Sequence, residues 1–232
     1  MGIKQRALIA LCLVAAVVLT TSLVSRVNYM AQPAMINSVE LPGIIIDAGH
    51  GGVDGGGSGY GAVEKDINLA IAMHLRDMMV ALGFDVTMIR ETDISIHDPS
   101  ATTIRQKKHT DLVNRLNIIN SSPGSIFVSI HQNMYHQSRY RGTQVFYAPH
   151  DPDSRLLAES IQGSVRRLMQ PDNDRSTRET NKDIYILYNA QIPAVMVECG
   201  FLTNPEDAYN LQNPEYQMKM SFAIMSGILN FI

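Results

Sequence analysis

Ile44-Ile45-Ile46-Asp47-Ala48-Gly49-His50 is an apolar run that halts at a histidine. Phe127-Val128-Ser129-Ile130-His131 repeats that pattern, and Ala194-Val195-Met196-Val197-Glu198 ends in the same way on an acid. Short apolar runs of this kind read as buried strands. Packing gives no reason for three strands each to finish on a side chain suited to metal binding or proton transfer. The same places are where sites gather in open α/β sheets, at the carboxyl ends of the strands.

Further strands are expected at 84–90, 142–148 and 184–187, beside 44–47, 125–131 and 194–198. Between Glu64 and Leu82 the residues Ile67, Ala70, Ile71, Leu75, Met78, Met79 and Leu82 recur at three and four, and Gly83 ends the run. That spacing predicts a helix. A second helix is predicted over about 104–120 with Leu112, Leu116 and Ile119 on one side, and others over about 153–169, 205–211 and 214–231. Strands alternating with helices predict a single α/β domain over 43–232. It is built on a mixed, mostly parallel central sheet of about six strands flanked by helices.

Residues 1–30 stand apart. Lys4 and Arg6 precede an apolar stretch from Ala7 to Leu19 that runs on to Val24. A positive end followed by ~18 apolar residues is the pattern of a secretory signal or a signal anchor. The positive charge before the stretch directs the remainder across the membrane. No clear small-residue cleavage site follows, which favours an anchor through residues 7–24, with 31–42 as a tether ending at Pro42. Leu11 stands before Cys12 where a lipoprotein signal needs a small residue.

The segment 1–30 holds three of the chain's nineteen basic residues and none of its twenty-two acids. Sixteen basic residues then face twenty-two acidic ones, a formal charge of −6 on the exported part. Such a balance argues against nucleic acid as a partner. Cys199 is the only cysteine left, so no internal disulfide can form.

Nine glycines fall between Gly43 and Gly61, yet no G-K-[ST] follows. Gly57-Ser58-Gly59-Tyr60-Gly61-Ala62 lies ten residues past its strand, too far for a dinucleotide turn, so a nucleotide is not expected. The glycines instead let the backbone turn after His50 and return to Glu64. His50 and His131, both at strand ends, together with Glu64 opening a helix, read as an open metal site. Two imidazoles and a carboxylate are a donor set for hydrolytic zinc. Glu198 ends a buried strand, where a carboxylate costs several kcal/mol unless paired or near a metal, and it reads as the base. Cys199 should point to the opposite face as a small buried hydrophobe.

These motifs carry a resemblance. Ile46-Asp47-Ala48-Gly49-His50-Gly51-Gly52 and Glu64-Lys65-Asp66-Ile67-Asn68-Leu69 resemble the opening of the zinc-dependent N-acetylmuramoyl-L-alanine amidases. Arg90, Asp93, Leu112, Arg115 and Asn120 fall in that family's order, as do Ser129-Ile130-His131-Gln132-Asn133 and Pro193 to Asn204. The resemblance covers about 43–232. It implies one zinc ion on His50, Glu64 and His131, with Glu198 catalytic, and cleavage between N-acetylmuramic acid and L-alanine in peptidoglycan. The compact build, without wall-binding repeats, is similar to the germination-specific cortex amidases of endospore formers. That implies action on spore cortex, on the way to muramic-δ-lactam, in the space between the forespore membranes.

Substrate contacts are expected from Asn133, from Arg139 and Arg141 on the basic, aromatic loop 135–141, and from Lys182 beside the polar stretch 172–181. A net acidic chain whose carboxylate ligand follows a glycine-rich loop also suggests an accessory exported protein or lipoprotein that orders the site. Two other readings use the same residues: a zinc exopeptidase, and an anchored wall-binding protein with an inactive site.

Overall fold

Alternate residues of the first apolar run separate into two cores. Ile44, Ile46 and Ala48 join one, and Ile45 joins the other. A computed structural model describes residues 2, 5, 18–22 and 41–232. The expected leader at 1–30 and tether at 31–42 therefore lie largely outside the described residues. Among the described residues no helix is long and apolar enough to cross a membrane.

Within Leu41–Ile232 the strands are β1 (Gly43–Ala48), β2 (Ser58–Gly59), β3 (Ala62–Val63), β4 (Val86–Met88), β5 (Ser125–Asn133), β6 (Gln144–Tyr147), β7 (Arg178–Glu179) and β8 (Ala194–Phe201). The helices are α1 (Glu64–Ala81), α2 (Ile104–Asn120), α3 (Pro152–Leu168), α4 (Tyr185–Asn189), α5 (Pro205–Leu211) and α6 (Pro214–Phe231). Six strands form one sheet in the order β4-β1-β5-β8-β6-β7, and β2 and β3 form a small hairpin. β4, β1, β5 and β8 are parallel, whereas β6 runs antiparallel to β8 and parallel to β7. This is the mixed, mostly parallel α/β sheet expected from the sequence.

Ile67, Ile71, Leu75 and Met79 of α1 pack on one face with Leu157, Ile161 and Val165 of α3 and Met220, Ile224 and Ile228 of α6. Each such side chain, fully buried, contributes ~1.5–3 kcal/mol. The other face carries Ile45, Phe127 and Met196 under Ile119 of α2 and Ile186 and Leu187 of α4. Helix starts follow the local chemistry. Asp151, Asn204 and Asn213 each cap a helix that opens on proline, and Thr103 and Gln106 form a capping box on α2.

Two expectations need correction. Residues 184–187 are not a strand; α4 occupies the place. Ile186 and Leu187, adjacent in sequence, are both buried, which a pleated strand packed on one face does not allow. Along α2 the buried residues are Asp111, Arg115 and Ile119, while Leu112 is exposed. The ion pairs of Arg115 described below turn that polar stripe inward.

Candidate metal centre and active site

β1 delivers His50, and the chain leaves the sheet there in an unusual conformation. His50 has φ +63°, followed by Gly51 at +133° and Gly52 at +57°. A Cβ on Gly49 would run into the imidazole of His131. The glycines thus permit the turn and the close approach of the two histidines. At the end of β1 and just beyond it, two buried arginines serve the chain's carbonyls. Arg90 donates through Nε to Ala48 O (2.8 Å) and through Nη2 to Gly49 O (3.1 Å). Arg115 donates through Nη1 to Ala48 O (3.1 Å) and through Nη2 to His50 O (2.7 Å). Arg115 itself is paired with Asp47 and Asp111.

Glu64 is the first residue of α1. Its own N–H bonds Gly57 O, and Gly57 N–H donates to Glu64 Oε2 at 2.7 Å, so the glycine loop folds over the carboxylate. Oε1 is the meeting point of the site. His50 Nε2 lies 3.1 Å from it, His131 Nδ1 2.9 Å, and the Gln132 N–H 3.1 Å. The two imidazoles meet edge to face, 4.9 Å between centres. Asp54 Oδ2 sits 2.9 Å from His50 Nδ1, and Lys108 holds the other Asp54 oxygen at 2.8 Å. Asn68 bonds Gly49 O and Glu64, and Gln132 Nε2 bonds Asn68. His50, Glu64 and His131 offer ligand atoms within 4.8 Å of one another, a group able to hold one metal ion.

Electrostatics follow the geometry. Burial opposes a charge on His50, but the bonds to Asp54 and Glu64 outweigh it and raise its pKa to about 9. Burial likewise opposes ionisation of Glu64, and His131 and His50 overcome it, holding the carboxyl far below its usual range. His50 pulls Asp54 well below the normal value. Glu198 stands opposite His131 in the β5–β8 register. Its Oε2 is buried without a hydrogen bond. Burial, with Glu64 adding to it, raises the pKa of Glu198 to about 7 against the pull of His131 and His50. One carboxylate is therefore held ionised and its neighbour is poised near neutrality, the contrast that separates ligand from acid/base group. Cys199 lies in the opposite core, its thiol pushed up by burial.

Asn133 follows His131 by two residues at the end of β5, past a shift in the β5–β8 register, and pairs with Phe201. Arg139 lies over the Tyr140 ring at 5.2 Å, and Arg141 is exposed and paired with Glu206 at 2.9 Å. Tyr140 reaches Phe201, with 6.4 Å between ring centres, which brings the 135–141 loop beside the site. Lys182 is not brought to it. Thr180 bonds Tyr147 at the far end of β6, and Lys182 lies over Tyr188 at that end of the sheet. Asp54, Asn68, Gln132 and the Arg115 cluster were not singled out as supports of the site. Asn68, Gln132 and Arg115 do stand in the motifs that carry the family resemblance, whereas Asp54 has only its place four residues after His50 as a signal.

The N-acetylmuramoyl-L-alanine amidase family matches residues 44–230. The chain belongs to that family. The germination-specific N-acetylmuramoyl-L-alanine amidase of Bacillus subtilis (strain 168) is 35% identical over 198 residues, covering 84% of this chain and 82% of that protein. The CwlD amidase from Clostridioides difficile, solved in complex with the GerS lipoprotein, is 40% identical with a TM-score of 0.79 over 82% of this chain and 98% of that one. The N-acetylmuramoyl-L-alanine amidase from Clostridium difficile 630 is 29% identical with a TM-score of 0.71, covering 82% and 96%. As an amidase of this family the chain acts on peptidoglycan, at the bond between N-acetylmuramic acid and L-alanine.

Proposed function

We propose that this amidase is a zinc enzyme acting outside the cytoplasm on spore cortex, with His50, Glu64 and His131 holding the metal and Glu198 moving the proton. The convergence of His50 Nε2 and His131 Nδ1 on Glu64 Oε1, with the orphan oxygen of Glu198 opposite His131, carries the reading. The donor set fits zinc, whose catalytic centres use imidazole and carboxylate with one position open. When bound, zinc supplies Lewis acidity toward the scissile carbonyl and the attacking water. Glu198 accepts the proton of that water and passes it to the nitrogen of alanine as the amide C–N bond breaks. Asp54 orients His50 by its bond to Nδ1, and Asn68 and Gln132 keep the Glu64 carboxylate turned inward.

Muramic acid freed of its peptide is the precursor that δ-lactam formation requires, which suits a cortex role. The germination-specific relative supports that role. His50→Ala or His131→Ala should abolish zinc binding and the release of alanine amino termini from purified wall material. Stoichiometric zinc retained by the double variant would overturn the assignment. Metal content also separates this reading from an inactive wall-binding protein. Cleavage of free peptides in place of wall material would favour a zinc exopeptidase.

The partner proposal stays with the site: an accessory exported lipoprotein docks near the glycine loop or 135–141 and raises zinc affinity by linkage. The solved relative that carries a lipoprotein supports it. Titrating zinc into the protein with and without such a partner is the test, and equal affinity in both would remove the proposal. Residues 7–24 are proposed as the membrane anchor; alkaline extraction that releases the full chain from membranes would contradict this.

A further inference from the structure

The sheet face that bears His131 and Glu198 continues onto β6, where Gln144 stands directly opposite Glu198. Arg175 donates through Nη2 to Gln144 Oε1 at 2.8 Å, and its guanidinium lies 4.8 Å from the centre of the Phe201 ring. Phe201, Tyr140 and Tyr135 form a run of rings at the edge of the site, with 6.4 Å and 4.8 Å between successive centres. Arg175 caps that run.

The chain builds this position firmly. Arg175 N–H bonds Asn173 Oδ1, and Asn173 in turn bonds Thr143 O. Arg166 holds the Arg175 carbonyl, and Gln144 Nε2 holds the carbonyl of Ser176. The guanidinium has no such satisfaction. Of the arginines that are wholly or partly buried, Arg76 pairs with Asp77 and Glu91, Arg115 with Asp47 and Asp111, and Arg90 fills its donors with carbonyls. Arg175, among the described residues, has no carboxylate partner, and its buried Nε makes no hydrogen bond. A planar cation, partly desolvated, stacked on an aromatic ring and lacking a counter-charge is complementary to a carboxylate.

We infer that Arg175 forms a subsite for a carboxylate of the stem peptide, two or three residues beyond the scissile amide. Strands lie ~4.8 Å apart, so Gln144 is one strand from Glu198 and two from His131. A peptide residue spans at most ~3.6 Å, so two residues cover the ~4.8 Å from Glu198 to Gln144 and three cover the ~9.6 Å from His131. The free carboxylates of an acidic stem peptide supply the ligand. This rests on the amidase reading of the site and adds to it a determinant of which stem peptides are accepted.

Two muropeptides test it with the purified full chain, one with a free α-carboxylate on the residue after alanine and one with that group amidated. The wild-type protein should prefer the acid about tenfold to a hundredfold in kcat/KM, with most of the difference in KM. Arg175→Gln should bring that ratio close to one. Arg175→Lys keeps the charge and the packed stem but loses the planar fork, so an intermediate ratio is expected. A ratio unchanged in either variant, with both substrates slowed alike, would show that Arg175 only braces its loop and would overturn the proposal. Binding of the same two compounds to Glu198→Gln protein, followed by calorimetry, reads the ratio without turnover. Equal affinity there sinks the subsite alone, whereas failure of the wild-type protein to cut at the muramoyl–alanine bond counts against the zinc-site reading instead.

Discussion

Glu198→Gln is expected to lower turnover on peptidoglycan by about two to four orders of magnitude while the protein keeps its zinc. The substitution preserves shape and removes the charge of the carboxylate and its ability to take up a proton. Glu198 makes no hydrogen bond through Oε2, and the three proposed ligands converge on one another without it, so the metal group should survive. Metal content and single-turnover rates on wall material check both halves. A variant that keeps most of its activity, or that loses its metal, would reassign Glu198.

The same substitution has a consequence for stability in the metal-free protein. Burial, first, and the nearby Glu64 raise the pKa of Glu198 from 4.5 to about 7. A folded-state pKa above the unfolded value means that folding favours the protonated acid. Its contribution is therefore fully present below pH ~4.5 and is lost as pH rises through about 7. The loss is on the order of 3–4 kcal/mol, since one pKa unit corresponds to about 1.4 kcal/mol. Metal-free Glu198→Gln should then match the wild-type protein near pH 4 and exceed it near pH 8 in urea unfolding. Parallel stability profiles across that range would contradict the electrostatic account.

Where the sequence was legible, one rule at a time was acting. The runs 44–50, 125–131 and 194–198 are buried on both faces of a parallel sheet, so hydrophobicity alone marks them. Asn204-Pro205 and Asn213-Pro214 announce helix starts through capping chemistry that needs no tertiary contact. The metal group could be read because Glu64 begins α1, while His50 and His131 each stand within two residues of the end of a strand. The misreadings arise where distant partners decide. Leu112 and Leu116 have the hydrophobicity of a buried stripe, but Asp47, 68 residues away from Arg115, turns the Asp111–Arg115 side inward. Residues 184–187 carry too few apolar positions to separate strand from helix. The sequence points to Lys182 beside the polar stretch 172–181 and does not single out Arg175 within that stretch. The antiparallel turn of β6 sends Lys182 to the far end of the sheet and leaves Arg175 on the catalytic face.

Arg115→Ala should destabilise the protein by ~3–5 kcal/mol, the cost of leaving a buried carboxylate without its partner. Asp47 is 1% exposed, and its other oxygen is already used by Ser129 Oγ at 2.7 Å. Burial would raise its pKa, yet Arg115 and His131 more than compensate and hold it ionised. Asp111 would also lose a partner, though Ser95 and the Ile96 N–H still serve it. Arg115→Met combined with Asp47→Asn removes the charge on both sides of that pair and keeps most of the volume, so much of the stability should return. Zinc affinity should not return with it. The carbonyls of Ala48 and His50, which Arg115 bonds at 3.1 and 2.7 Å, remain without that support, and His50 sits at φ +63° where backbone strain must be held by its surroundings. Urea unfolding and zinc titration of the single and double variants separate the two roles. If stability and zinc affinity recover together, the ion pair only holds the core. If stability alone recovers, the buried arginine also fixes the backbone that presents His50 to the metal.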